Sequence, residues 1–375
     1  MVFLEMKIPL AKPIFDEEMR DAALNALENE RFVLGESVLK FEEEFARYCG
    51  VKYAVSTSSG THALHLSLLA LGVKPRDRVV TTPYSFIATA NSALHVGAVP
   101  VFVDVSMESY NLDPKALKEI RDDGVKAVIP VHLYGFPADM RAILDFADEH
   151  GVFVVEDACQ AHGAEYFGRK VGSIGDVGCF SFYPSKNMTV CGDGGMVVTN
   201  DEEVAERVAK LRDCGRASHY EHDLVGFTSR LNTVNAAIGR VQLRRLDEWN
   251  RRRRRNAELY NRLLAGVGDV ILPPATTAEI KPVYHLYVIR TRFRDQLKSW
   301  LEKNGIQCGV HYPIPIHLQP VYRRMFGYKR GDFPNSEILA DTVLSLPMFP
   351  ELKRDEIEYV CEKIQEFFTH KRLRG

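Results

Sequence analysis

Between residues 53 and 200 the chain repeats one arrangement: a short run of β-branched and apolar residues, a turn, then a segment with helical spacing. The runs are YAVS (53–56), RVVTT (78–82), VPVFVDV (99–105), KAVIPVHLY (126–134), VFVVED (152–157), GCFSF (178–182) and GMVVT (195–199). Continuous apolar runs suit strands covered on both faces, and strand–helix alternation folds into a mostly parallel sheet flanked by helices. Between the runs, THALHLSLLALG and DMRAILDFADEHG carry helical periodicity, and each ends on a glycine suited to a helix C-cap. The expected architecture is α/β, with a seven-stranded, mostly parallel sheet.

At 375 residues the chain exceeds the roughly 250–300 residues that one hydrophobic core organises, so a second, smaller domain is expected. After residue 235 the pattern changes to a long charged helix, an alternating strand (YHLYVIR), a helix from about 295 and a final helix from about 353. The expected division is an arm (1–40) packing on the small domain, a large α/β domain (41–240) and a small C-terminal α+β domain (241–375).

Lys and Arg number 48 against 50 Asp and Glu, a balance that argues against a general nucleic-acid or membrane-surface role and favours small-metabolite chemistry. Five consecutive arginines at 251–255 span every face of a helix and are offset by Asp247, Glu248 and Glu258, so they read as a solvated helix surface. The seven cysteines are scattered without a C-x-x-C pair, as in reduced cytosolic proteins, and no metal site is expected. The start lacks the pattern of a secretory leader, and no apolar stretch reaches about 18 residues, so a soluble, cytoplasmic chain is expected.

Two residues suggest chemistry. Asp157 ends an apolar strand, where open α/β sheets place ligands, and Lys186 follows the next strand. Pyridoxal phosphate (PLP) enzymes need this pair: an amine that holds the aldehyde as a Schiff base, and a carboxylate that keeps the pyridine nitrogen protonated. In VSTSSGTHALHLSLL, a small-residue turn leads into a helix, so the amides near Gly60 and Thr61 suit a phosphate. Ser181 can add a hydroxyl, Phe86 or Tyr84 can cover the ring, and Gln160, spaced one helical turn after Asp157, can reach the phenolic oxygen.

These residues sit in a longer series of ordered motifs: LGESVLKFEEEFARYCGVKYAVSTSSGTHALHLSLLALG, SFIATANS, VIPVHLYGFPADM, VVEDACQAHGA, FSFYPSKNMT, GDGGMVVTND, SRLNTVNAAIGRVQL and HYPIPIHLQPVY. Across almost its whole length the chain resembles the DegT-type or StrS-like aminotransferases, fold type I PLP enzymes that act on nucleotide-linked keto sugars. The resemblance implies Lys186 as the Schiff-base lysine, Asp157 on the ring nitrogen, Gln160 near the phenolic oxygen and Phe86 on the ring. It also implies Gly60, Thr61 and Ser181 on the phosphate. One branch of the family carries histidine in place of the lysine and removes a sugar hydroxyl; Lys186 argues against that reading. Where the family has asparagine reaching the neighbouring subunit's phosphate, this chain has Thr228, whose reach is shorter.

The implied reaction has two halves, with L-glutamate as donor and a keto sugar as acceptor, in a homodimer with shared active sites. Lys186 serves as nucleophile and proton carrier, its pKa lowered by burial and by the cationic cofactor. Tyr183, Arg230, His311, Tyr312 and His317 are the candidate substrate contacts, and the YPxPxH form resembles members acting on 3-keto rather than 4-keto sugars. A keto-inositol (cyclitol) aminotransferase and a non-enzymatic DegT-type regulator are the alternatives. A PLP lyase or desulfurase fits less well, because no catalytic cysteine loop is evident.

Overall fold

A computed structural model describes residues 7–120 and 124–372. In chain order the strands are β1 (Tyr53–Thr57), β2 (Arg78–Thr81), β3 (Val99–Phe102), β4 (Val125–Ile129), β5 (Phe153–Asp157), β6 (Glu165–Tyr166), β7 (Arg169–Lys170), β8 (Val177–Ser181), β9 (Gly195–Thr199), β10 (Ile280–Lys281), β11 (Tyr287–Arg290) and β12 (Val343–Leu346). Seven of them form one sheet in the order β1-β9-β8-β5-β4-β2-β3. The pairs from β8 through β5, β4 and β2 to β3 are parallel, and only β9 runs against its neighbours. Each of the seven apolar runs supplies one of these strands.

The register gathers particular residues at one edge. Asp157 lies beside Cys179 on β8, Ser181 pairs with Gly195, and Gly195 also pairs with Thr57. The carboxyl ends of β1, β5 and β8 therefore meet the start of β9, the edge where open parallel sheets place ligands.

Side chains alternate across each strand, so both sheet faces are buried. Val154, Val128 and Phe180 face one core, under helices Glu36–Cys49, Met140–His150 and the first half of Thr233–Leu264. Val155, Ala127 and Cys179 face the other, under helices Gly60–Ala70 and Glu202–Arg212. Phe45 anchors the first core, with ring centres 5.0 Å from Phe180 and 5.5 Å from Phe182. Truncating such a buried ring to alanine costs about 3–5 kcal/mol. Gly72 and Gly151 take left-handed conformations after their helices (φ 78° and 63°), the C-cap role expected of them.

Helix Thr233–Leu264 crosses residue 240 without a break. Its later residues Ala257, Tyr260 and Leu264 join a separate C-terminal core with Tyr287, Leu301, Leu344 and Ile364. Ile8 packs in that same core and exchanges backbone hydrogen bonds with the 305–307 turn. Helix Glu17–Asn29 instead lies on the long helix, through Met19 against Ile238, Val241 and Trp249. Ion pairs Arg245–Asp16 and Arg244–Glu18 (2.6 Å) flank that contact.

Glu156, fully buried beside Asp157, ties the sheet to the 172–175 turn. Its carboxylate accepts from the amides of Gly172 (2.7 Å), Ile174 (2.6 Å) and Gly175 (2.7 Å). His132 Nδ1 accepts from the Ala138 amide (3.0 Å), so its Nε2 carries the hydrogen and donates to Glu156 (2.9 Å). Four donors satisfy an acid that would otherwise be costly to bury.

The arginine run is not uniformly solvated. Arg251, Arg252 and Arg255 gather on Glu248, as a surface helix would have them. Arg253 is buried, and its Nη1 donates to the carbonyls of Tyr284, His285 and Met348. Among the described residues no helix is long and apolar enough to cross a membrane. All seven cysteines are free.

Candidate active site

A cavity of about 500 Å³ opens at the sheet edge where β1, β5 and β8 end. Lys186 and Asp157 both line it, together with Gly60, Thr61, Phe86, Gln160, Ser181, Tyr183, His311 and Tyr312. Ten of the thirteen candidate residues thus surround one space, although they come from five separate segments of sequence.

Asp157 is the last residue of β5 and is 5% exposed. Thr89 Oγ1 donates to its Oδ2 (2.7 Å), and the Cys159 amide donates to its Oδ1 (3.2 Å). Ser85 completes the brace: Thr89 spends its hydrogen on Asp157, so the Ser85 hydroxyl donates to Thr89 (2.9 Å). Two donors thus hold the carboxylate in place.

Lys186 follows β8 in a turn closed by its own amide on the Tyr183 carbonyl (2.8 Å). Its side chain is half-buried and makes no ion pair or side-chain hydrogen bond among the described residues. Burial lowers its pKa, opposed by the nearby Cys159 and Asp157. An amine so placed is available as a nucleophile and as a proton carrier.

The floor beside the lysine is made for close approach. Ser59 caps helix Gly60–Ala70 through the His62 amide (3.2 Å), and the amides of Gly60 and Thr61 lie in the first turn, where they lack helical partners. A Cβ at Gly60 would lie 2.7 Å from Ser181 Cβ and 2.8 Å from Cys159 Sγ. Glycine is required there by packing. The free amides, the Thr61 and Ser181 hydroxyls and the positive end of the helix have the geometry that suits an anion.

Gln160 does not stand on a helix; residues 158–164 turn without forming one. Its Oε1 accepts from the Tyr134 amide (2.9 Å), so the amide nitrogen faces the cavity and donates to the Tyr312 hydroxyl (3.3 Å). Tyr312 is fixed in turn, its backbone amide donating to the Tyr84 hydroxyl (3.0 Å). Tyr84 is fully buried and so takes this supporting role, while Phe86, 54% exposed at the rim, is the ring free to cover a ligand. Three imidazoles lie around Lys186, those of His162 and His285 buried and that of His311 half-buried. Burial first, and the lysine charge second, push His162 down to about 3 and His311 to about 4, and hold His285 well below its ordinary value.

The family model for the DegT/DnrJ/EryC1/StrS aminotransferases matches residues 13–365. The chain belongs to this aminotransferase family. It is 44% identical to a pleiotropic regulatory protein of Geobacillus stearothermophilus (95% of this chain, 94% of that one). It is 42% identical to the dTDP-3-amino-3,4,6-trideoxy-alpha-D-glucose transaminase of Streptomyces venezuelae (94% and 93%). It is 43% identical to a UDP-N-acetyl-3-dehydro-alpha-D-glucosamine 3-aminotransferase of Acidithiobacillus ferrooxidans (90% of each). The crystal structure of S. venezuelae DesV superposes with a TM-score of 0.91, at 42% identity and 94% coverage of each chain. The fold is accordingly that of the fold type I aminotransferases.

Three candidate residues of this aminotransferase lie elsewhere. His317 is fully buried, with Nε2 3.1 Å from Glu337 Oε1 and its ring against Phe333. It anchors the 316–337 segment and is not placed to read a substrate in this cavity. Arg230 is paired with Asp213 (2.7 Å). Thr228 is exposed and contacts Cys214 Sγ (3.4 Å), away from the cavity of its own chain. Sequence reasoning missed Thr89, Ser59, Ser85 and His285, all of which line the cavity. SFIATANS contains Thr89, but no spacing rule pairs a residue there with Asp157, 68 positions away.

Proposed function

We propose that this aminotransferase uses pyridoxal phosphate to transfer the amino group of L-glutamate to a keto group of a nucleotide-linked sugar, at C3 in preference to C4. The product is an amino sugar for polysaccharide or glycoconjugate biosynthesis. The observation that carries the reading is the meeting of unpaired Lys186 and braced Asp157 in one cavity beside the Gly60 phosphate cradle. Those residues fit the cofactor: an amine for the aldehyde, an acid for the ring nitrogen and free amides for the phosphate.

Bound there, pyridoxal phosphate supplies an aldehyde and a ring that accepts the electrons released at the donor's α-carbon. Asp157, held by Thr89 and the Cys159 amide, keeps the proton on the ring nitrogen. Gly60, Thr61 and Ser181 hold the phosphate. The Gln160 amide nitrogen would donate to the phenolic oxygen, and Phe86 would cover the ring. Lys186 Nζ would take the proton from the donor's α-carbon and deliver it to the cofactor's former aldehyde carbon; its lowered pKa raises the neutral fraction this needs. In the second half the same nitrogen moves the proton back, now with the sugar in place. Tyr183, His311 and Tyr312 line the remaining wall and contact the sugar.

The sugar class and the C3 preference are supported by two relatives whose names specify C3, a 3-amino sugar on dTDP and a 3-dehydro sugar on UDP. The proposal includes a homodimer, in which Thr228 reaches the neighbouring subunit's site, and a division into arm (1–40), large (41–240) and small (241–375) domains. The bridging helix Thr233–Leu264 would then be shared by both domains. Assaying nucleotide-linked 3-keto and 4-keto sugars side by side tests the preference, and amination of the 4-keto compound alone refutes it. A second reading, a regulator, is favoured by the name of the G. stearothermophilus relative. Sequence-specific DNA retardation at moderate salt would support it.

A further inference from the structure

We infer that Asn187 is a positioning residue, which fixes where the Lys186 amine stands relative to the Gln160 side chain. The inference rests on Lys186 carrying the proton in transamination, as proposed above. Asn187 directly follows the lysine and is buried. Its Nδ2 donates to Asn250 Oδ1 (2.9 Å) and to the Val283 carbonyl (3.0 Å). Both partners are oxygens, which settles the orientation of the Asn187 amide. Asn250 is settled likewise, because its own Nδ2 donates to the His162 carbonyl (2.8 Å).

These bonds close a circuit within the chain. From Asn187 it runs through Val283, whose amide donates to the Gly135 carbonyl (3.0 Å), and on to Tyr134, whose amide donates to Gln160 Oε1 (2.9 Å). It returns from Gln160 through His162 and Asn250 to Asn187. Every residue that bonds in the circuit is buried. The neighbour of the lysine and the side chain of Gln160 therefore share one hydrogen-bonded frame. Thr189 also braces the lysine loop, with its hydroxyl on the Phe182 carbonyl (2.9 Å) and its amide on Gln242 Oε1 (2.9 Å), but neither contact reaches the Gln160 turn.

Lys186 Nζ makes no ion pair or side-chain hydrogen bond among the described residues, so its reach is set by the backbone that carries it. In pyridoxal phosphate the aldehyde and the phenolic oxygen are attached to adjacent ring carbons. A residue that holds that oxygen and an amine that bonds that aldehyde must keep a set separation. The lysine must also find the same place again in each half-reaction, after the substrate has released it. Misplacing a reacting group by about 1 Å can cost roughly a hundredfold in rate.

The test compares wild type, Asn187→Ala, Asn250→Ala and Ile364→Val, the last a truncation in the C-terminal core that lowers stability without touching the circuit. Hydrogen exchange of the full-length protein, with and without PLP, is read by mass spectrometry in the peptides that hold the Tyr134, Lys186 and Val283 amides. The PLP-loaded samples are then mixed with L-glutamate over a range of concentrations. In Asn187→Ala those amides should exchange about tenfold faster than in wild type. The conversion of the lysine-bound cofactor band should slow about tenfold at saturating glutamate, with the half-saturating concentration within about twofold of wild type. Asn250→Ala should move both readouts in the same direction, and it keeps the test valid should Asn187→Ala misfold. Ile364→Val should match wild type in both. Wild-type exchange in the two asparagine variants overturns the assignment, and so does faster exchange with a wild-type conversion rate, because the circuit then serves the fold alone. A wild-type protein without a lysine-bound cofactor band removes the cofactor reading and this inference with it, whereas a band that the asparagine variants convert at the wild-type rate removes the inference alone.

Discussion

Thr89 Oγ1 donates to Asp157 Oδ2 at 2.7 Å, which makes a residue from the first turn of helix Ala88–His95 the brace for a carboxylate at the end of β5. Thr89→Val keeps the shape and removes the donor. A hydrogen bond to a charged group contributes about 1.5–3 kcal/mol, and Asp157 is buried, so the loss falls on cofactor binding. PLP affinity, read by absorbance titration, should drop at least about tenfold. Unchanged affinity would mean that Thr89 is not part of the cofactor site.

Gly60→Ala places a methyl 2.7 Å from Ser181 Cβ and 2.8 Å from Cys159 Sγ, both on the tightly packed sheet edge. Overpacking of this kind costs about 1–3 kcal/mol. Chemical denaturation should show that loss, with weaker PLP binding than the stability change alone explains, because the amides of the cradle move apart.

Tyr84→Phe leaves the Tyr312 amide without its acceptor and frees the His311 carbonyl from one donor (3.2 Å). The expected cost is about 1–3 kcal/mol of stability. If Tyr312 contacts the sugar, KM for the keto sugar should rise while the spectral change on adding L-glutamate stays at its wild-type rate.

The fold was legible because both period and punctuation agree with it. All seven apolar runs became strands of the main sheet within a few residues, and Gly72 and Gly151 closed their helices in left-handed conformations. The expected fourth run, 126–134, ended early at Ile129. Pro130 lacks the amide to continue a ladder, and Tyr134 turns left-handed (φ 59°). The YHLYVIR strand lost its first three residues in the same way, at left-handed Tyr284. The site was legible where its residues end a strand, follow one closely or open a helix, as Asp157, Lys186 and Gly60 respectively do. It was not where long-range packing decides. Thr89 and His285 meet the cavity only through the fold, Arg253 is buried within an arginine run that composition reads as surface, and His317 is turned inward by Glu337 and Phe333.

Stability should fall on acidification through the buried imidazoles. His162 and His311 stand near 3 and 4 in the folded protein against about 6.5 when unfolded, so between those limits the unfolded chain binds more protons. Their neutral forms leave stability complete above about pH 6.5, and it is lost as pH falls toward 4. Each such group contributes a slope of about 1.4 kcal/mol per pH unit. His162→Phe, packed between Phe180 and Phe182, should flatten that slope by about one proton; an unchanged slope would show that His162 is charged or solvated in the fold.

The most direct test of the account is the visible absorption spectrum of the purified protein with added PLP, before and after L-glutamate, beside a Lys186→Ala variant. The account predicts a lysine-bound cofactor band in wild type that L-glutamate converts to the aminated cofactor, and neither the band nor the glutamate response in the variant. A wild-type band that L-glutamate leaves untouched, or a variant that responds as wild type does, would contradict it.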